Sequence, residues 1–237
     1  MNAEATYRIF SLGDTAFTID FGNVIDENIN KKVISLFNAI LKKPFPGMIE
    51  AIPAYSSLSI IYDPVFIRKN FSKGKTAFDW IKGEVEKLLQ TQIELTEDNP
   101  RLIKIPVCYD EEFGIDLIHI TKEKKLSKEE IIQLHIEKKY RVYMVGFLPG
   151  FPYMGEINEK IAMPRKPQPT MVAAGSIAIA GKQTGIYPLT SPGGWNIIGQ
   201  TPLKLFDHSK NEPTLLKTGD IVEFHPISKQ EFLKLRS

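Results

Sequence analysis

The spacing of hydrophobic residues in the first hundred positions changes between the two-residue period of strands and the longer period of helices. It predicts a strand, a helix, two further strands and a second helix, in that order. The hydrophobic positions that define them are, in turn, Phe17, Ile19 and Phe21; Ile29, Val33, Leu36 and Ile40; residues 48–53; residues 58–62; and Phe78, Ile81, Val85 and Leu88. This order is typical of a small α+β domain.

A polar run at 96–100, closing with Asn-Pro, predicts a linker between two domains. We therefore expect an N-terminal α+β domain at 1–97 and a second domain at 98–237. The second domain opens with a predicted strand at 102–109. Ser127 and Glu130 then form a capping-box pattern, which predicts a helix that runs to Lys138.

The pattern changes again at Tyr140, where short β-rich segments are divided by Gly and Pro. Such segments favour a barrel or a sandwich over repeated βαβ units. A turn pattern at 217–220 precedes one last predicted strand, Ile221 to Phe224. The fold class expected for the chain is therefore α+β, with a C-terminal domain that is mostly β.

Composition excludes several classes of protein. The 237 residues are 43% hydrophobic and 24% charged, as in ordinary globular proteins, and 30 basic residues nearly balance 28 acidic ones. A net charge of +2 does not indicate a nucleic-acid or anionic-membrane partner. We expect a cytoplasmic protein, because the sequence has one cysteine and no signal-peptide pattern. We expect no membrane segment, because the sequence has no apolar run of about 18 residues.

The stretch from Pro167 to Leu203 contains a single charged residue, Lys182, and six of the 16 glycines. Glycine allows positive φ and close approach of backbone to another group. One interpretation is a tightly turned barrel core. The other is a contact surface for a small molecule or a partner, because uncharged polar side chains lie between the glycines.

Two tetrapeptides, 148–151 and 191–194, have the Pro-Gly order of type II turns. The second one predicts that the backbone N–H groups of Gly194 and Trp195 face a carboxylate, a phosphate or an oxyanion. Neither tetrapeptide fits the loop that ends in Gly-Lys-Ser/Thr and binds nucleotide phosphates.

Two side chains near these turns are candidates for chemistry. Arg165 stands between two prolines and could hold a substrate carboxylate with two hydrogen bonds, although a surface role is the alternative. His135 could transfer protons, and a packed core histidine is the alternative that we favour. The four histidines and Cys108 lack the close spacing of metal ligands, so no metal site is predicted.

Three long motifs occur in order in the second half of the chain. They are Val145-Gly146-Phe147-Leu148-Pro149-Gly150-Phe151-Pro152-Tyr153-Met154-Gly155, the run from Ala174 to Pro188, and Ser191-Pro192-Gly193-Gly194-Trp195-Asn196-Ile197-Ile198-Gly199. Together they resemble the KipI family, which is also known as allophanate hydrolase subunit 1 or as the B subunit of 5-oxoprolinase. Shorter matches at 12–14, 52–55 and 105–109 extend the resemblance over nearly the whole chain. One departure is that the family's second Pro-Arg is replaced by Pro169-Thr170, which removes one guanidinium from the motif.

The resemblance implies a cyclophilin-like β-barrel after the N-terminal domain. It also implies that the chain is one subunit of a hydrolase that opens 5-oxoproline to glutamate with ATP. Its partners would be the C subunit of 5-oxoprolinase, which is of the allophanate hydrolase subunit 2 type, and the A subunit. The implied site has catalytic residues His135, Gln183 and Tyr187 and substrate-binding residues Arg165, Thr184, Ser191, Gly193, Gly194 and Trp195.

Two other functions remain open at this point. The family's name-giving member is an inhibitor of a sensor histidine kinase, so the barrel could instead bind a protein. Carboxyltransferase domains of urea-processing enzymes are also similar, so a carboxyl-transfer or allophanate hydrolase role is the third candidate. An uncharged, glycine-rich surface suits a partner as well as a substrate, and the sequence does not separate these functions.

Overall fold

The computed structural model describes residues 7–90 and 100–236. These residues form two compact units, one on either side of the undescribed segment, and each is described here by itself. The predicted domain boundary between residues 97 and 98 lies outside the described residues. No helix in the described ranges is long and apolar enough to cross a membrane.

The first unit is a four-stranded antiparallel sheet with three helices. Its sheet has the order β1-β2-β4-β3. The elements are β1 (Arg8–Leu12), β2 (Ala16–Asp20), α1 (Glu27–Lys42), β3 (Met48–Pro53), β4 (Ser57–Tyr62), α2 (Pro64–Asn70) and α3 (Ala77–Gln90).

One face of this sheet and the helices form a single hydrophobic core. Phe17 and Ile19 of β2 alternate with more polar neighbours, and both are fully buried. Val33 and Leu36 of α1 pack into the same cluster as Ile81 of α3. The two predicted helical stripes are therefore confirmed as the buried faces of α1 and α3.

The second unit contains the remaining strands and three more helices. Its elements are β5 (Leu102–Val107), α4 (Leu117–Lys124), α5 (Lys128–Ile136), β6 (Lys139–Val145), β7 (Pro152–Gly155), a short 3-10 helix (Glu159–Ile161), β8 (Thr170–Val172), β9 (Ser176–Ala180), β10 (Gln183–Ile186), β11 (Ser191–Gly193), β12 (Asn196–Gln200), β13 (Ile221–Pro226) and α6 (Lys229–Arg236).

Seven of these strands form a nearly closed β-barrel. Their order is β12-β9-β10-β7-β6-β13-β5, and only the pair β13 and β5 is parallel. Cys108, just after β5, exchanges two backbone hydrogen bonds with Gln200 at the end of β12, with N···O distances of 2.9 and 3.0 Å. This bridge brings the two outer strands together, so few backbone groups are left unpaired at an edge. Strands β8 and β11 form a separate antiparallel pair.

Strand β9 is buried on both faces because each face packs against a different cluster. Ile177 and Ile179 belong to the main core of the unit, whereas Ala178 and Ala180 face a smaller, aromatic cluster. The small alanine side chains leave room for large rings on that side. This second cluster forms the floor of the site described below.

The mixed α+β class with a barrel is confirmed, as are the capping box at Ser127 and the turn at 148–151. In that turn the Phe151 N–H donates to the Leu148 carbonyl at 3.0 Å, and Gly150 has a φ of 85°. The predicted turn at 191–194 is wrong. Ser191–Gly193 is strand β11, paired with β8, and Gly193 does not adopt positive φ.

Several elements were absent from the sequence prediction. They are β1, α2, α4 and α6, and two of them carry signals that could have revealed them. Asp63 caps α2 directly before a proline, while Ser228 and Glu231 form a reciprocal cap at α6. Such caps depend on two or three residues, which a search for hydrophobic periodicity does not detect.

Candidate functional site

A cavity of about 400 Å³ opens over the aromatic cluster of the second unit. Its size is within the usual range for small-molecule sites. Most of its wall is apolar or glycine, and two cationic side chains stand at its edge. The lining residues are Phe147, Phe151, Tyr153, Arg165, Lys166, Pro167, Pro169, Tyr187, Pro192, Gly193, Gly194 and Trp195.

Four rings pack against one another beneath this cavity. The Phe151 ring lies 5.1 Å from Tyr187, 5.5 Å from Trp195 and 4.8 Å from Tyr153, measured between centroids. Gly185 makes this packing possible, because a Cβ there would lie 2.8 Å from the Phe151 ring. A rigid aromatic floor of this kind suits the face of a small ring.

Arg165 is exposed at the rim, with its guanidinium carbon 5.9 Å from the centroid of the Trp195 ring. This is a cation–π distance, and it directs the positive charge toward the cavity. Arg165 forms no ion pair with any residue in the described ranges. Its hydrogen-bond donors therefore remain available to an anion from solution.

The backbone on either side of Arg165 is fixed by hydrogen bonds. The Pro164 carbonyl accepts from the Asn196 side chain at 2.8 Å, and the Lys166 N–H donates to the Gly194 carbonyl at 2.7 Å. These bonds tie the segment to β12 and to the end of β11. Arg165 is thus held by rigid neighbours, which reduces the ordering cost of binding.

Asp116, at the start of α4, adds a further tie. One of its carboxylate oxygens accepts from Lys166 Nζ at 2.9 Å and from the Ile197 N–H at 2.7 Å. Both ionic side chains are only 19% exposed. Lys166 is consequently a structural cation at the edge of the cavity, whereas Arg165 has no charged partner among the described residues.

Tyr187 is almost fully buried, and its phenol oxygen accepts a hydrogen bond from the Trp195 backbone N–H. The oxygen lies directly against Gly193, where a Cβ would approach it to 2.2 Å. The Trp195 amide is therefore already used within the chain, which differs from the predicted outward-facing amide. The phenol proton of Tyr187 is not used in that hydrogen bond, so the hydroxyl can still act as a donor.

Burial raises the pKa of both Tyr153 and Tyr187, and the nearby charge of Arg165 opposes this effect. Both phenols therefore stay protonated at neutral pH and act as neutral hydrogen-bond donors. Neither residues 7–90 nor residues 100–236 contain a group of three His, Cys, Asp or Glu side chains placed to hold a metal ion.

His135 lies inside the barrel and is not among the residues that line the cavity. The Thr184 hydroxyl donates to the Ala178 carbonyl, so it accepts from His135 Nε2 at 3.0 Å. His135 Nδ1 then accepts from the Tyr109 hydroxyl at 2.9 Å. We infer that His135 is a packed core histidine, which was the alternative favoured from the sequence.

The cavity brings together five of the nine residues that the sequence proposed, namely Arg165, Tyr187, Gly193, Gly194 and Trp195. The other four, which are His135, Gln183, Thr184 and Ser191, are not among its lining residues. The Ser191 hydroxyl is buried without a hydrogen-bond partner in the described part of the chain.

The sequence analysis did not propose three aromatic residues that line the cavity, Phe147, Phe151 and Tyr153. Phe151 and Tyr153 lie on or next to β7, and Phe147 precedes them at the rim. All three lie within the first family motif, but their spacing does not show which ring faces a cavity and which faces the core. Aromatic residues at alternate positions next to a Pro-Gly turn were the available signal.

Comparison with known families gives a match over most of the chain. The chain matches the model of the carboxyltransferase domain, subdomain C and D, over residues 7–216. The chain belongs to this family. Its region of match contains the whole cavity.

Two relatives of this carboxyltransferase-family chain have the same name. It is 46% identical to the B subunit of 5-oxoprolinase from Bacillus subtilis (strain 168), over 95% of each chain. It is 35% identical to the B subunit of 5-oxoprolinase from Escherichia coli O157:H7, over 92% of this chain and 95% of the relative. The predicted resemblance to this family of 5-oxoprolinase subunits is confirmed.

The fold also recurs in a larger enzyme. The crystal structure of the Kluyveromyces lactis urea carboxylase matches 96% of this chain and 22% of that one, with a TM-score of 0.74 and 18% identity. At this identity the match concerns the fold alone.

Proposed function

We propose that this chain is the B subunit of an ATP-dependent 5-oxoprolinase and that its cavity holds part of the 5-oxoproline molecule. The observation that carries the proposal is the similarity to B subunits of 5-oxoprolinase along nearly the full length of both chains. The site is compatible with this substrate. A lone guanidinium beside an aromatic floor suits a small ring that bears a carboxylate.

In this proposal Arg165 binds the substrate carboxylate with two parallel hydrogen bonds. The lactam ring lies on Phe151 and Trp195, whose positions are set by edge-to-face packing. Tyr187 donates its phenol proton toward the lactam oxygen, because its oxygen already accepts from the Trp195 N–H. Together these contacts fix the orientation of the ring before any bond changes.

An amide carbonyl is a poor electrophile, which is why the reaction needs ATP. ATP would transfer its terminal phosphoryl group to the lactam oxygen and leave as ADP. Attack of one water on the ring carbon would then break the C–N bond and give γ-glutamyl phosphate, and a second water would hydrolyse this acyl phosphate to glutamate and phosphate. In this reaction, this chain would bind the 5-oxoproline molecule and fix its orientation. A neutral donor at Tyr187 would also stabilise charge that develops on the oxygen.

The proposal places this chain in a hetero-oligomer with the A and C subunits of 5-oxoprolinase, and assigns ATP to the complex rather than to this cavity. It also treats the two compact units as separate domains, the second one a cyclophilin-like barrel. The seven-stranded, nearly closed sheet supports that description. The chain would then act in the cytoplasm, as its single cysteine led us to expect.

The test is ATP-dependent glutamate formation from 5-oxoproline by the complex reconstituted from all three proteins. Arg165→Lys keeps the charge but loses the two-point geometry, so KM should rise; Arg165→Ala should raise KM by about 10- to 100-fold, as expected for a lost hydrogen bond to a charged group. Arg236→Ala is the matched control. Arg236 also stands over an aromatic ring, that of Phe232, at 5.8 Å, but outside the cavity.

A parent complex that forms no glutamate from 5-oxoproline would contradict the proposed function. An active complex whose KM is the same in both Arg165 variants would instead remove Arg165 from the site and leave the function intact. Transfer of a carboxyl group by the complex, measured with labelled bicarbonate and urea, would favour the urea-type alternative.

A further inference from the structure

Phe147, at the rim of the cavity, is unfavourable in two respects: its side chain is exposed and its backbone has a positive φ. Its exposed fraction is 72%. Its φ is 68°, in the left-handed region, where large side chains are rarely found. A chain that needed only to fold would more readily place glycine here.

The surrounding loop holds Phe147 in this conformation. The Leu148 N–H donates to the Gly146 carbonyl at 2.9 Å, which makes Phe147 the middle residue of a strained three-residue turn. A second hydrogen bond, from the Gly146 N–H to the Phe151 carbonyl at 3.1 Å, closes the loop around it. The backbone is thus fixed by its neighbours rather than by a preference of Phe147.

The ring makes little compensating contact with the described residues. Its aromatic neighbour is Phe151, with centroids 6.2 Å apart at an interplanar angle of 88°. Phe151 in turn packs against Tyr187 and Trp195 at the floor of the cavity. The Phe147 ring therefore stands beside the same aromatic surface, with most of its own surface still open to solvent.

Strain that persists at the rim of a site is a reason to look for a functional role. We infer that Phe147 is a specificity-determining residue whose ring covers the open face of the substrate ring in the cavity. The inference rests on the proposed function, and it names the ring of 5-oxoproline as the group covered. Arg165 would then hold the carboxylate at one side while Phe147 and Phe151 enclose the ring.

The experiment separates the side chain of Phe147 from its backbone conformation. Phe147→Ala removes the ring and keeps a side chain that disfavours positive φ, whereas Phe147→Gly removes the ring and also relieves the strain. Phe147→Tyr keeps the ring. Lys125→Gly is the matched control, because Lys125 has a φ of 54° after α4 and is not part of the cavity lining.

We expect KM for 5-oxoproline, in the reconstituted complex, to rise by about 2- to 10-fold in both the Ala and Gly variants, the amount expected for a lost ring contact. Phe147→Tyr should keep the KM of the parent. The melting temperature of the full chain should be about 2 to 4 °C higher in Phe147→Gly than in Phe147→Ala. Lys125→Gly should leave KM unchanged.

An active parent complex whose KM is unaffected by Phe147→Gly would overturn the inference while leaving the proposed function standing. Loss of the complex on sizing chromatography in both Phe147→Ala and Phe147→Gly, with loss of turnover, would also overturn it, and would assign the ring to a partner surface. A parent complex without activity on 5-oxoproline would overturn the proposed function, and the inference with it.

Discussion

At the scale of single residues, His135 shows how burial sets the protonation state of a side chain. Its ring is fully buried and stacks on Phe224 with centroids 4.7 Å apart. Burial lowers the pKa of His135 to about 3, so the ring is neutral in the folded chain at physiological pH. Both ring nitrogens are already used in hydrogen bonds to Tyr109 and Thr184.

This pKa predicts a loss of stability in acid. The unfolded histidine gains a proton near its ordinary pKa of about 6.5, whereas the folded one gains it only near 3, so the unfolded state binds more protons between these values. Stability is therefore fully present above about pH 6.5 and falls as the pH is lowered. His135→Gln should flatten the decrease in melting temperature in the acid range below neutrality while leaving kcat nearly unchanged.

The measurement for His135 is calorimetric unfolding of parent and variant across this pH range, together with kcat at neutral pH. Equal pH slopes in the two proteins would contradict the burial argument. A large loss of kcat in a stably folded variant would restore a role in proton transfer.

At the scale of elements, β11 contains a glycine that is needed for close packing and not for a turn. Gly193 is buried in this strand against the phenol of Tyr187, and a Cβ at Gly193 would lie 2.2 Å from that oxygen. Gly194 follows directly, and a Cβ there would meet its nearest neighbour, the Lys166 carbonyl, at 3.5 Å. The two adjacent glycines thus differ in what surrounds them.

We expect Gly193→Ala to move Tyr187 and Gly194→Ala to be tolerated. Overpacking at Gly193 should lower the free energy of unfolding by about 1 to 3 kcal/mol and reduce activity through the displaced phenol. At Gly194 the contact is an ordinary one, so the change should stay within about 0.5 kcal/mol. Chemical denaturation and KM for 5-oxoproline check both variants; equal effects would show that Tyr187 is not confined by β11.

At the scale of the whole molecule, exposed apolar residues are candidates for contact with a partner. Trp195, an aromatic residue of the nearly charge-free stretch at 167–203, is only 5% exposed and packs within its own unit. An acidic substitution there would test folding rather than assembly. Met171, on β8, is 64% exposed and lies within the nearly charge-free stretch, so it is the better probe.

The chain alone should be inactive, and the C subunit of 5-oxoprolinase should bind it through this stretch. Met171→Asp should weaken the complex, because a carboxylate buried at an interface without a partner is strongly unfavourable. Val65→Asp, at a 59% exposed position of the first unit, is the control. Sizing chromatography with light scattering on the co-expressed pair decides this; turnover by the single chain, or full binding by Met171→Asp, would contradict it.

The sequence by itself determined the elements whose signal is local. The helical stripes of α1 and α3 and the capping box of α5 depend on residues within a few positions of each other, and all three are observed. The family motifs likewise indicated the stretch that contains the site. These features are local in the chain, so no tertiary information was needed.

Only the tertiary structure decided which residues of that stretch line the cavity. Pairing of β8 with β11 turned a predicted turn into a strand, and pairing of β9 with β10 placed Thr184 against His135 in the core. Successive side chains of a strand point to opposite faces, so neighbours in one motif can lie apart. Thr184 of β10 contacts His135 in the core, whereas Tyr187, just after β10, packs in the aromatic cluster. Strand register depends on residues that are distant in the sequence, and it determines which side chains face the cavity and which face the core.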